Sequence, residues 1–160
     1  MVTGRFDITR PGLVLIQEYE SFRAEAYLDS KGVPTIGYGT TYLPDGTKVT
    51  LGMRCTRSQA EMWFAHDCKA IDAFLDRNVT QKKLTQNQFN ALASFIYNIG
   101  RNAFIASTMY KMIKAGDMKG AADQFMAWNK ITVNGKKEPL DGLTNRRKKE
   151  RALFLKGMVA

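Results

Sequence analysis

Residues Glu20 to Gly39 read ESFRAEAYLDSKGVPTIGYG, so that Glu20, Glu25 and Asp29 run into a stretch dense in glycine. Two readings of this stretch lead to different proteins. Either the acids are the hydrated end of a helix followed by an ordinary hairpin, or they are working groups beside a specially shaped backbone. Glutamates at helix ends and aspartates in turns are mostly solvated surface groups. The stretch therefore has to be judged with its surroundings.

Upstream, Gly12 to Ala24 carries Leu13, Val14, Leu15, Ile16, Tyr19 and Phe22 behind Pro11, which predicts a short helix. On a helical wheel Glu18 and Glu20 fall on opposite flanks of the apolar sector, so periodicity does not choose between them. From Ala26 to about Thr50 the strand formers Tyr27, Val33, Ile36, Tyr38, Tyr42 and Val49 are separated by Ser30-Lys31-Gly32 and Pro44-Asp45-Gly46, both turn sequences. A small antiparallel sheet is expected there.

Beyond Met53 the pattern is helical. Ser58-x-x-Glu61 and Thr85-x-x-Gln88 have the form of capping boxes, opening helices to about Leu75 and Asn98, and Gly100 and Gly116 fit as helix stops. Further helices are predicted at Ala103 to Ala115, at Met118 to Asn129 with Asp117 as N-cap, and at Leu143 to Lys156 ending at Gly157. Ile131 to Pro139, with its Asn134-Gly135 pair, reads as a loop or short hairpin. The predicted class is α+β: a helix, a small sheet, and a helical body of about five helices.

With 160 residues, 44% of them apolar and 24% charged, the chain is expected to fold throughout as one domain over 1–160. Within it a small lobe of about 26–55 is expected beside a helical lobe of about 56–160 plus the N-terminal helix. The early apolar run Leu13 to Ile16 is too short for a signal-peptide core or a membrane span, so neither export signal nor stable membrane anchoring is expected. Cys55 and Cys68 are expected to be reduced. With His66 they offer only three soft ligands, and His66 and Cys68 diverge at i and i+2 on a helix, so no metal site is expected.

Charge is uneven: net −1 over residues 1–51, +4 over 52–129 and +6 over 130–160, within a total of +9. A basic body behind an acidic first third suits an anionic polymer as partner, and nucleic acid and cell wall both qualify. Glycosidic hydrolysis needs one carboxylic acid to protonate the leaving oxygen and one carboxylate acting as base or nucleophile on the other face. An acid packed beside Leu13 and Ile16 tends to stay protonated, whereas one in a turn beside Ser30 and Gly32 stays ionised. Glu20 and Asp29 fit those two roles.

The ordered set Glu20-x8-Asp29-x5-Thr35, followed by Ile36-Gly37-Tyr38-Gly39, resembles the phage-type lysozymes, the endolysins of glycoside hydrolase family 24. Phe95-Ile96-Tyr97-Asn98-Ile99-Gly100 is similar to the end of that family's central helix. Gly142 to Glu150, GLTNRRKKE, is similar to its Gly-Leu-x-x-Arg-Arg-x-x-Glu segment. The three elements lie in the family's order between residues 12 and 155.

The resemblance selects Glu20 over Glu18 and leaves Glu18 and Glu25 as surface acids. It implies a lysozyme-like fold and cleavage of the β-1,4 bond between N-acetylmuramic acid and N-acetylglucosamine in peptidoglycan, without metal or cofactor. Glu20 would be the general acid, with Arg146 as the cation that orients it. Asp29 would be the base and Thr35 the hydroxyl that holds a water against it. The implied mechanism is inverting, for which carboxyl groups stand about 6.5–9.5 Å apart.

Gly37 and Gly39 are glycines where a sugar ring could approach the backbone. Tyr97 could stack on a sugar or pack in the core, and Asn98 could bind an acetamido group. Relatives often carry His where this chain has Thr40, which alters the expected substrate contacts there. The implied partners are bacterial peptidoglycan and, for release from the host cytoplasm to the wall in the periplasm, a holin; the chain is expected to be a monomer.

Two rival readings remain. A nucleic-acid binder would use Arg146-Arg147-Lys148-Lys149 near Trp128, although such a run is commonly a solvated face with no reading motif. A lysozyme-like wall binder without activity would not need Glu20, Asp29 and Thr35 intact.

Overall fold

The computed structural model describes residues 7–79 and 84–158. The chain separates into two compact units, Val14–Ala70 and the combination of Met1–Leu13 with Ile71–Ala160.

In the Val14–Ala70 unit, helix α1 (Arg10–Tyr19) stops well short of the predicted Ala24, and strand β1 (Arg23–Leu28) follows almost at once. The reason is Phe22: its ring packs against Tyr38 at 5.7 Å, so its apolar surface belongs to the sheet layer and not to the helix. Strand β2 (Pro34–Gly37) pairs antiparallel with β1, with Tyr27 opposite Thr35 and Leu28 opposite Pro34. An irregularity in register between Arg23 and Tyr27 bends β1. The expected strand signal beyond Tyr38 amounts only to isolated bridges, Ile36 with Thr40 and Tyr42 with Lys48.

Helix α2 (Arg57–Asn78) is opened by Thr56 and Gln59, not by the predicted Ser58 and Glu61. Gln59 N–H donates to Thr56 Oγ1 at 3.1 Å and Thr56 N–H to Gln59 Oε1 at 2.9 Å. The cause lies in the sheet: Cys55 N–H donates to Ala24 O at 2.8 Å, holding residue 55 extended so that the helix must begin directly after it. Ala60, Phe64 and Cys68 are buried along one face, where i, i+4 spacing puts them in line. A side chain at Gly37 would come within 3.0 Å of Ala60 Cβ, and φ there is +67°, so two independent constraints require glycine.

In the other unit, α3 (Gln86–Ile99) begins with the predicted Thr85–Gln88 capping box and is buried from Gln88 to Ile96. The single helix predicted over 103–115 is two, α4 (Arg101–Ile105) and α5 (Thr108–Ala115). Ser107 breaks it: its hydroxyl donates to Phe104 O at 2.6 Å and accepts from Tyr110 N at 3.1 Å, ending one helix and capping the next. Asp117 caps α6 (Met118–Gln124) as expected, accepting from Gly120 N at 2.9 Å. A 3-10 turn, Phe125–Trp128, replaces the rest of that predicted helix.

Strands β3 (Lys130–Val133) and β4 (Lys136–Pro139) form a hairpin, settling the open loop-or-hairpin choice. Its two-residue turn has φ of +50° at Asn134 and +79° at Gly135, the left-handed pair that Asn-Gly favours. Helix α7 (Asp141–Leu155) closes the chain, so six α-helices follow the sheet among the described residues instead of about five.

The core of this unit is aromatic. Phe95 meets Phe104, Phe125 and Trp128 at 6.4, 5.1 and 5.7 Å, and Phe125 meets Phe154 at 5.6 Å, mostly edge to face. Ile8 and Thr9 belong to this unit too. Ile8 N–H donates to Asp72 Oδ1 and Thr9 N–H to Asn90 Oδ1, both at 3.0 Å. Burial, opposed by the Ile8 bond, pushes the Asp72 carboxyl up to about 6.

The basic run does not behave as a solvated face. Arg146 and Arg147 are 2% and 1% exposed, and both reach Glu150, which is fully buried. Only Lys148 and Lys149 face solvent. Half of the surface a phosphate-binding reading requires is therefore inside the core.

Candidate active site

Glu20 sits one residue beyond α1, with its N–H donating to Ile16 O at 2.9 Å, so it prolongs the last helical turn and is half-buried. Asp29 follows the last residue of β1, at the head of the turn to β2. Its Oδ1 accepts from Lys31 N at 2.8 Å and from Val33 N at 2.9 Å, which fixes the rotation of the carboxyl group. The turn itself is closed by Gly32 N–H to Asp29 O at 2.9 Å and Asp29 N–H to Val33 O at 3.0 Å.

Thr35 lies on β2, 4% exposed, and its hydroxyl donates to Val33 O at 2.8 Å. With that proton committed, the hydroxyl oxygen is left as an acceptor. Directly across the ladder from Thr35 is Tyr27, and directly opposed residues present side chains to the same face of a sheet. Burial, then the charge of Glu20 and that of Asp29, raise the Tyr27 phenol, against the lowering effect of Arg23. Both carboxylates thus lie within electrostatic reach of one hydroxyl. Sequence reasoning overlooked Tyr27, because a strand partner is a long-range fact that only the register reveals.

Glu25 pairs with Arg54 at 2.8 Å, with side-chain exposures of 65% and 73%, and is a surface acid as expected. Glu18 is also exposed. Gly39 lies in the tight turn closed by reciprocal bonds between Ile36 and Thr40, with φ of +89°, so the backbone demands glycine there. At Gly37 the close neighbour is Ala60, not a space for a sugar. Thr40, at the position where relatives often carry His, is 1% exposed and donates to Asp67 Oδ2 at 2.9 Å.

The other named residues belong to the second unit. Tyr97 and Asn98 are half-buried near the end of α3. Asn98 Oδ1 accepts a short bond from Arg147 Nη2, so the carbonyl end of its amide is engaged. Arg146 donates through Nε to Glu150 Oε2 at 3.1 Å and through Nη2 to Ser94 O at 2.9 Å. Ser94 in turn donates to Glu150 Oε2 at 2.6 Å. Burial lowers the Arg147 guanidinium from its ordinary value while Glu150 raises it. Neither Cys55 nor Cys68 is in a disulfide. Among the described residues no group of three His, Cys, Asp or Glu side chains could hold a metal ion.

The family model for phage lysozyme matches residues 17–150, which include Glu20, Asp29, Thr35 and the Arg146–Glu150 cluster. The chain belongs to the phage lysozyme family. An endolysin of Acyrthosiphon pisum secondary endosymbiont phage 1 is 42% identical over 147 residues, covering 92% of this chain and 97% of that one. Among solved structures, the endolysin from Escherichia coli O157:H7 phage FAHEc1 is similar with a TM-score of 0.80 at 41% identity, covering 97% of each chain. The muramidase domain of SpmX from Asticaccaulis excentricus is similar with a TM-score of 0.81 at 34% identity, covering 94% of this chain and 99% of that one. The fold is lysozyme-like and α+β, and the protein is a glycoside hydrolase that degrades peptidoglycan.

Proposed function

We propose that this lysozyme cleaves the β-1,4 bond between N-acetylmuramic acid and N-acetylglucosamine by inverting acid/base catalysis, with Glu20 as acid and Asp29 as base. Glu20 gives its proton to the leaving glycosidic oxygen as that bond breaks. A water attacks the anomeric carbon from the opposite face and passes a proton to Asp29. The observation that carries this reading is the locked Asp29 carboxyl: two backbone N–H groups hold Oδ1, so Oδ2 is the oxygen available to the water. Thr35, its own proton directed to Val33 O, accepts from the water's second hydrogen and so fixes its direction of attack.

Gly39, Tyr97, Asn98 and Arg146 are proposed substrate contacts. With Asn98 Oδ1 engaged by Arg147, the Nδ2 end is the one suited to an acetamido oxygen. The net charge of +9 favours encounter with a wall polymer that bears peptide carboxylates. No helix among the described residues is long and apolar enough to cross a membrane. The proposed route to the wall is release from the host cytoplasm through a holin, the enzyme acting as a monomer.

One experiment with two arms tests both the bond and the route. Digests of purified peptidoglycan are expected to carry N-acetylmuramic acid at their new reducing ends, and cells expressing the chain without a holin are expected to stay intact. Reducing ends of N-acetylglucosamine would contradict the bond assignment. Lysis from within, without a holin, would contradict the route.

A further inference from the structure

Tyr27 is a neutral hydroxyl set among charged groups that the acid/base pair described above does not use. Three features of the sheet place it. Its register partner is Thr35, which puts both side chains on one face of the two-stranded sheet, with Cβ atoms about 4.5–5.5 Å apart in such pairs. The irregularity between Arg23 and Tyr27 lets the Arg23 guanidinium fold over the Tyr27 ring, 4.2 Å from its centroid, so the ring is clamped. The charges of both Glu20 and Asp29 reach its hydroxyl. Bulges of this kind re-aim side chains beside active sites.

We propose that Tyr27 is a further positioning residue of the reaction, its O–H donating to the water that Asp29 deprotonates and Thr35 orients. The inference rests on the acid/base reading given above. A water has two hydrogens and two lone pairs. Asp29 Oδ2 and Thr35 Oγ1 take the hydrogens, the anomeric carbon takes one lone pair, and the Tyr27 O–H holds the other. Tyr27 is suited to this because burial first, and then the charges of Glu20 and Asp29, oppose its ionisation against the lowering effect of Arg23, so it remains a donor while its neighbours change protonation state. No proton leaves Tyr27 in the step. It restricts the water's orientation, which affects the chemical step more than the affinity for substrate.

The test compares wild type, Tyr27→Phe, Thr35→Val and the double variant on purified peptidoglycan, with Glu20→Gln run alongside. Phe keeps the ring and the Arg23 stack and removes only the hydroxyl. Tyr27→Phe is expected to lower kcat about tenfold with KM changed less than about twofold, the size of one lost hydrogen bond to a reacting group. Because both hydroxyls hold the same water, the double variant should lose less than about threefold beyond Thr35→Val alone. Circular dichroism and thermal melts establish that each variant is folded. A Tyr27→Phe kcat within about twofold of wild type, a loss confined to KM, or full additivity with Thr35→Val would each overturn the proposal. Retained activity in Glu20→Gln would instead overturn the acid/base reading, and so separates the two failures.

Discussion

Glu20→Gln is expected to lower kcat on purified peptidoglycan by roughly 10²–10⁴-fold while leaving thermal stability nearly unchanged. Gln keeps the shape of the side chain and its backbone N–H still donates to Ile16 O, so the end of α1 is undisturbed. What it lacks is a transferable proton for the leaving oxygen. The loss should appear in kcat, because the proton is needed in the transition state and contributes little to ground-state binding. Turbidity clearing by the folded variant, measured beside its melting curve, checks the expectation. Clearing at the wild-type rate would sink the assignment of Glu20.

Glu150→Ala is expected to have the largest effect on stability of any single change at the charged cluster. Glu150 is fully buried and joins Ser94, Arg146 and Arg147, with Arg147 Nη1 at 2.7 Å from Oε1. Removing it takes away the carboxylate that two buried guanidinium groups share. Breaking such a buried pair from one side costs about 3–5 kcal/mol. In a protein of this size that corresponds to a fall in Tm on the order of 10 °C. Differential scanning calorimetry measures it, and a fall of less than about 2 °C would mean that the arginines find other compensation. Glu150→Gln, which retains hydrogen-bonding capacity but not charge, should fall between the two.

What the sequence disclosed was mostly local chemistry. The Thr85–Gln88 box, the Asp117 cap and the Asn134-Gly135 turn each depend on residues within four positions of one another, and each is found as read. The Ser58–Glu61 box failed because a distant bond, Cys55 to Ala24, fixed where α2 could start. The α1 boundary failed likewise: Phe22 fits the helical period, but its partner Tyr38 is on the far side of the β1–β2 turn.

The same division holds at the site. The family motif singled out Glu20, Asp29 and Thr35, whereas periodicity could not separate Glu20 from Glu18. Nothing in the pattern announced that Arg146 and Arg147 are interior, since what makes that tolerable is the burial of Glu150 and of carbonyl acceptors beside them. Nor could the pattern reveal Tyr27, whose placement follows from β-ladder register and an irregular strand. Asp29 was legible as a turn residue beside Gly32. Its double anchoring by Lys31 and Val33 N–H was not, although that anchoring is what supports its proposed role as base.

The anomeric configuration of the first product tests the two-carboxylate account most directly. Proton NMR of a soluble peptidoglycan fragment, recorded before mutarotation, reads it. Direct attack by the water held at Asp29 is expected to release N-acetylmuramic acid as the α anomer. Initial release of the β anomer would mean a covalent intermediate and carboxyl groups only about 5 Å apart, and would contradict Asp29 as a base acting on water.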